Sequence, residues 1–490
     1  MKKIIEYIFP NKNYYLTTFT ISVLILLLSI KLFSISISFI PLVFILILLV
    51  VISVNVILKN PNLGILITFA IMPFEYIGGF YYHSIHIRFD QIIIGITGII
   101  YIISSLIKKD FKIKKDPTFI IIGALIIANI LSLTNALNFS RSIDIFLFTL
   151  ITYLIYYAIP VNFFDIKYVK YIPYIIASIT ILLSIFGIYQ YIGNLLNLPG
   201  SVLGLRAPYL KNVLGYPRIE ATEVEPLYYG TYLIFSITLS LGILIFNKGK
   251  NILKKNLKNL LYISSILGII NLIFTYARGA WIGEGISLLI LGIIYLVEYK
   301  IPKKMIYTGI VFIIFVIAIG GVLYKINKLP HFATSIINRA TNLSSPDRVY
   351  LDSNALQAFE NNVLFGIGVG GFGPYMSINP YIIPSRSFGQ IEGYGWAIVN
   401  NEYLEILSET GIVGFILFVM LFIKIIQNFI KAVRVNKYKN SFERVILIST
   451  FAAMIGILVQ YTTFSTLYIL QIWMVIMLVE VISINILHDR

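Results

Sequence analysis

About fourteen apolar runs, each 17–25 residues long, divide this chain: 14–30, 35–58, 62–80, 88–107, 117–138, 142–160, 168–192, 226–246, 260–276, 280–298, 304–323, 401–423, 443–462 and 465–487. A helix needs about 20 apolar residues to cross a bilayer. Within lipid, a spanning segment must satisfy its backbone polar groups internally, which a helix does. The sequence is therefore expected to be an all-α, polytopic integral membrane protein with about 12–14 transmembrane helices in a single membrane domain, 1–490. Composition agrees, with 58% hydrophobic residues, 12% charged and a mean hydropathy of +0.88. A soluble chain of 490 residues would carry about 25% charged residues. Zero cysteines exclude disulfides and thiolate metal sites. The N-terminal MKKIIEYIFPNKN has no small-residue cleavage site and reads as a retained cytoplasmic stub.

The net charge of +16 has a cause other than nucleic acid. With the N-terminus inside, the spans divide the 38 basic residues into 26 cytoplasmic and 12 extracytoplasmic, as positive-inside sorting requires. Both termini are then expected in the cytoplasm. The two sides differ in kind as well. Inside stand 23 Lys and 3 Arg, outside 4 Lys and 8 Arg. Lysine inside is a solvated topology signal. Arginine outside has two readings: interfacial snorkelling, or bidentate binding of a phosphate-like anion.

Two outer segments are long, 193–225 and 324–400, and the larger is expected to carry site residues. Four constellations lie in or beside them. Residues 275–283 (TYARGAWIG) put Arg278 near the outer interface, with Gly279 and Gly283 spaced for close helix packing. Loop 206–225 holds Arg206, Arg218, Glu220, Glu223 and Glu225, either a solvated loop or arginines with a carboxylate general base. Residues 347–375 contain Arg348, a helix-like stretch, and five glycines (366, 368, 370, 371, 373) that form a flexible turn or a phosphate-binding nest. No Lys-Ser/Thr follows them, which excludes a P-loop. Finally, Asn400 or Asn401 caps the span that begins at 401, and Glu402, Glu405 and Glu409 share one face of it. His83 and His86 lack a third ligand, and no metal or cofactor is expected.

Arg278–Trp281, Arg348, Ala355–Leu356, Val363–Phe372, Asn400–Leu404 and Glu409–Gly414 together resemble, in order and spacing, the O-antigen ligase and polymerase family. The detailed likeness covers about 277–420, with looser similarity at Arg88 and over Arg218–Pro226. The resemblance implies a metal-independent glycosyltransferase in the bacterial cytoplasmic membrane. Its donor would be a glycan on undecaprenyl diphosphate, used at the outer face. The acceptor would be another carrier-linked glycan, a lipid or a protein. Arg278, Arg348, Arg218 and Asn401 are then the expected donor ligands. Ligases carry a proposed histidine base where this chain has Asn400, which takes no proton at neutral pH. A carboxylate is expected to serve, Glu402 first and Glu220 or Glu225 otherwise, with its pKa lowered by nearby arginines. The rival reading is a transporter or flippase of lipid-linked oligosaccharide, which would place charges mid-membrane, where Asp144 is among the few. A scaffold is a third. Convergence of Arg278, Arg348 and Glu402 on one cavity would separate them.

The orientation is testable. Single cysteines at Ser335 and Ser387 are expected to react with an impermeant thiol reagent in intact cells, and one at Ser441 is not. The reverse pattern would invert the topology.

Overall fold

The structure is a computed structural model that describes residues 40–75, 80–82, 85–109, 111–211, 215–246, 254–299, 334, 346–378, 397–435, 437, 441–465 and 467–488. The apolar runs 14–30 and 304–323 lie outside the described residues. Ten helices among those described are long and apolar enough to cross a membrane, and the chain is a multi-pass helical membrane protein.

In chain order the main helices, of which all but α1, α2, α10 and α11 are among those ten, are α1 (Ile40–Lys59), α2 (Pro61–Ile71), α3 (Phe89–Ile107), α4 (Pro117–Ser132), α5 (Phe139–Phe163), α6 (Ile172–Leu195), α7 (Pro226–Phe246), α8 (Lys255–Phe274), α9 (Arg278–Tyr299), α10 (Pro346–Asn361), α11 (Phe372–Ile378), α12 (Glu402–Val433), α13 (Phe442–Gln460) and α14 (Leu470–His488). The run 62–80 does not make a full span. Its helix stops at Ile71, ahead of Pro73, and a short antiparallel ribbon pairs Phe80–Tyr82 with Ile85–Ile87. Eleven residues reach about 16 Å, half of the hydrocarbon core. Several helix starts follow from local chemistry. Asn60, Asp116, Asn138, Asn401 and Ser441 each accept a first-turn amide through the side chain.

The most enclosed helices are α14, α7 and α13, with 89%, 83% and 72% of their apolar windows buried. They form the centre, and the other spans turn apolar faces outward, where lipid rather than water is the solvent. Small residues set the closest approach. A β-carbon on Gly283 of α9 would lie 2.8 Å from the Gly456 carbonyl of α13, and one on Gly279 would overlap Thr463. The Gly279/Gly283 spacing thus serves helix packing, as read from the sequence.

The span that begins at Glu402 runs far past 423, to Val433, but it is broken at Gly411 (φ 66°, ψ −169°). The segment 362–367 docks on this break through backbone bonds. Ile412 N–H donates to Val363 O at 2.8 Å, and Ile367 N–H to Ser408 O at 2.9 Å. A β-carbon at Gly411 would overlap the Leu364 carbonyl. Gly411→Ala is therefore expected to cost at least about 2 kcal/mol, from left-handed backbone strain plus the clash. Gly285→Ala, where nothing stands within 4 Å of the added carbon, is expected to change little. Melting of the two variants in detergent checks the contrast.

Candidate functional site

Glu409 fixes one side of the site. Its carboxylate accepts Gly370 N–H at 2.8 Å and Phe372 N–H at 3.1 Å. Most other donors of the glycine-rich turn are spent within the protein. Gly366, Ile367 and Gly371 donate to backbone carbonyls, and Val369 to the Ser132 hydroxyl. Arg141 Nε and Asn135 Nδ2 hold the Gly370 and Gly366 carbonyls. The turn is a nest filled by the protein's own carboxylate, which corrects the phosphate-nest expectation. From it α11 departs, and α10 packs on α12 beside it. One helical turn before Glu409, Glu405 accepts Val399 N–H at 2.9 Å. Asn401 N–H donates to the Ser465 hydroxyl at 2.8 Å, and the Asn401 side chain caps Leu404 N–H. Between these anchors Asn400 takes φ 64°.

The other side is built on the C-terminal end of α8. Its late carbonyls need donors. Ile219 N–H reaches Phe274 O at 3.2 Å, Arg218 Nε reaches Thr275 O at 3.2 Å, and Trp281 Nε1 reaches Leu272 O at 2.7 Å. The chain reverses at Tyr276 (φ 48°) and α9 opens with Arg278. This ties loop 216–225 to the α8–α9 turn.

The two sides enclose a cavity of about 220 Å³ lined by Arg218, Glu225, Tyr228, Arg278, Arg348, Asn400, Thr463 and Ser465, with apolar neighbours. Five expected site residues thus meet: Arg218, Arg278, Arg348, Glu225 and Asn400. All five are half-buried. Burial lowers the pKa of Arg218 and Arg348, with Arg278 adding repulsion at Arg218, while Tyr209 and Glu225 partly offset the effect at Arg218 and Asp352 at Arg348. Burial raises the Glu225 pKa, against the pull of Arg206 and Arg218. The expected lowering is therefore reversed, because desolvation outweighs the arginines.

Three expected residues stand elsewhere. Glu220 is buried and clamps Arg206, accepting Arg206 N–H at 3.0 Å, Nε at 3.2 Å and Nη2 at 3.1 Å. Burial raises its pKa to about 7 despite this partner. Glu402 starts α12, so its side chain departs from Asn400. It is 2% exposed and lines a separate small cavity with Tyr153, Glu405, Glu409 and Tyr468. Asn401 serves as helix cap. The separating geometry is thus divided, with Arg278 and Arg348 converging and Glu402 apart. The sequence reading missed Tyr228, Thr463 and Ser465. A visible sign for the last two was the polar interruption Thr462–Thr463–Phe464–Ser465 between two apolar runs.

Behind loop 216–225 lies a buried acidic group. Arg88 Nη1 contacts Glu75 Oε1 at 3.0 Å, and Glu223 adds a second buried carboxyl beside Glu75, each 1% exposed. Thr222 Oγ1 donates to Pro73 O at 2.6 Å, holding the loop there.

Residues 263–419 match the family described as O-antigen ligase. An uncharacterized protein of Haemophilus influenzae is 29% identical over 252 residues, 48% of this chain and 59% of the relative. The match thus spans less than two thirds of that relative's length.

The acidic group makes stability depend on pH. Burial raises Glu75 to about 7, and burial plus the adjacent Glu75 raise Glu223 well above the usual carboxylate range. Raised carboxyl pKa values mean that the folded state binds protons the unfolded chain releases. The contribution is full below the ordinary carboxylate range, about 4.3, and is lost as pH rises through 7 and beyond. The melting temperature in detergent is expected to fall between pH 5 and 8.5, and Glu223→Gln is expected to flatten that fall.

Proposed function

From the membership of residues 263–419 in the O-antigen ligase family, and from three arginines and one carboxylate on a single cavity, we propose that this protein is a membrane glycosyltransferase. Its donor is a glycan on undecaprenyl diphosphate, its place the outer face of the bacterial cytoplasmic membrane, and its acceptor a hydroxyl of a second glycan, a lipid or a protein. The observation that carries the reading is the convergence of Arg218, Arg278 and Arg348 from a loop, a span start and an outer helix. Guanidinium groups stay charged when half-buried and bind diphosphate oxygens through paired N–H donors.

The chemistry follows. The acceptor oxygen attacks the anomeric carbon, the carbon–oxygen bond to the diphosphate breaks, and the diphosphate leaves with the electron pair. The arginines stabilise the charge growing on it. The acceptor proton passes to Glu225, the one carboxylate among the described residues lining the cavity, and from there to water. A raised pKa suits Glu225 to this work, since it makes the carboxylate a stronger base than an ordinary one. Asn400, left-handed and half-buried, offers a carboxamide that orients the acceptor hydroxyl.

The purified protein, given carrier-linked repeat units, is expected to yield a ladder or a single transfer. Arg278→Lys and Arg348→Lys keep the charge and lose the fork, so each is expected to lower turnover more than tenfold, about 1.4 kcal/mol in the barrier. Glu225→Gln is expected to bind donor and lose most turnover. In the parent, kcat is expected to fall with acid at a pH above the usual carboxylate range. Full activity in both lysine variants and in Glu225→Gln would overturn the assignment.

A further inference from the structure

One aromatic ring touches both an arginine of the donor cavity and a half-buried ion pair. Tyr209 lies outside the cavity lining, in the short turn Ala207–Tyr209. The Arg206 guanidinium carbon is 5.1 Å from its ring centre, and the Arg218 guanidinium carbon 5.6 Å. Both distances fall within cation–π range. Two guanidinium groups repel one another, so sharing one ring needs further restraint on each. Arg206 receives it from Glu220, which takes its backbone N–H and two guanidinium N–H groups. Arg218 receives it from two backbone bonds, its own N–H to Tyr209 O at 2.9 Å and its Nε to Thr275 O at 3.2 Å.

These contacts leave Arg218 little freedom. Its Nε is spent on the carbonyl that caps α8. Its backbone N–H is tied to the Tyr209 carbonyl, and the Tyr209 ring lies against the guanidinium group. The terminal nitrogens remain for the cavity that Arg218 lines. Arg278 lines the same cavity and opposes the charge of Arg218. A flexible Arg218 would relieve that repulsion by swinging away, and a donor anion would then have to recover the side chain at an entropic cost.

We infer that Tyr209 is a positioning residue for donor binding, with Glu220 and Arg206 as its support, so that Glu220–Arg206–Tyr209 forms a column presenting Arg218 to a prenyl diphosphate. This rests on the donor assigned under Proposed function. It also gives Glu220 a task other than proton transfer, since its carboxylate is committed to Arg206 rather than facing the cavity.

The test is direct binding of geranylgeranyl diphosphate to the full-length protein in detergent, followed by calorimetry, with transfer kinetics alongside. Tyr209→Leu removes the ring and is expected to raise Kd about tenfold. Tyr209→Phe keeps the ring and is expected to stay within about threefold of the parent. Glu220→Gln is expected to raise the donor KM severalfold with the loss falling on KM rather than kcat, the opposite of Glu225→Gln. Melting curves identify any variant that fails to fold, and Tyr209→Trp then replaces Tyr209→Leu, with weakened binding again expected because the larger ring does not fit between the two arginines. Unchanged Kd in folded Tyr209→Leu would overturn the inference, as would a loss in Tyr209→Phe equal to that in Tyr209→Leu. A Glu220→Gln defect confined to kcat would return Glu220 to the role of base and overturn it too. A parent that binds no prenyl diphosphate would sink the donor assignment itself, and this inference with it.

Discussion

The carboxylate of Glu409 organises the end of the bundle that carries the cavity. Two amides of a glycine turn converge on it, and beside it the helix gives way at Gly411 so that segment 362–367 can lie in the break. A broken spanning helix normally exposes carbonyls and amides that lipid cannot satisfy. Here the docked segment satisfies them, so break and loop are mutual requirements. Through this joint the 346–378 segment is seated on α12, and with it Arg348 reaches the cavity. Glu405, one turn away, secures the backbone ahead of Asn400 in the same manner. The acidic face read from the sequence is therefore a set of fasteners between a span and the segments packed on it.

In the cavity and in the ion pair beside it, desolvation competes with charge. Arginines near carboxylates ordinarily pull carboxyl pKa values down. At Glu220 and Glu225 burial wins and the values rise. The same desolvation lowers the pKa of Arg218 and Arg348, yet leaves them cations because arginine starts so high. The site keeps fixed positive charge while its carboxylate moves toward neutrality, a combination suited to holding an anion and accepting a proton beside it.

Much of this was legible in the sequence. Apolar run length gave the helical class, and most span boundaries fall within a few residues of those expected. The excess of arginine over lysine in the segments expected outside pointed to an anion, and the family resemblance picked out Arg218, Arg278 and Arg348, which the fold brings to one cavity. What could not be read was direction. Glu402 is two residues from Asn400, yet the onset of α12 between them turns it to another cavity. Glu220 and Glu225 are five apart in one loop, and only the position of Arg206 sends the first to an ion pair. The glycine turn looked like an anion nest because its amides do converge; the anion proved to be Glu409, 39 residues further along the chain.

Crowding like charges has a thermodynamic consequence for the whole fold. Arg218, Arg278 and Arg348 line a cavity with one carboxylate of raised pKa among the described residues, so their mutual repulsion is set against folding. A polyanion that binds there removes this repulsion in the native state alone, and by mass action stabilises the protein by about 2.7 kcal/mol at a hundredfold excess over its Kd. The strength of the fold is thereby linked to the supply of its ligand. A membrane rich in lipid-linked anion would hold the protein folded more firmly than one depleted of it.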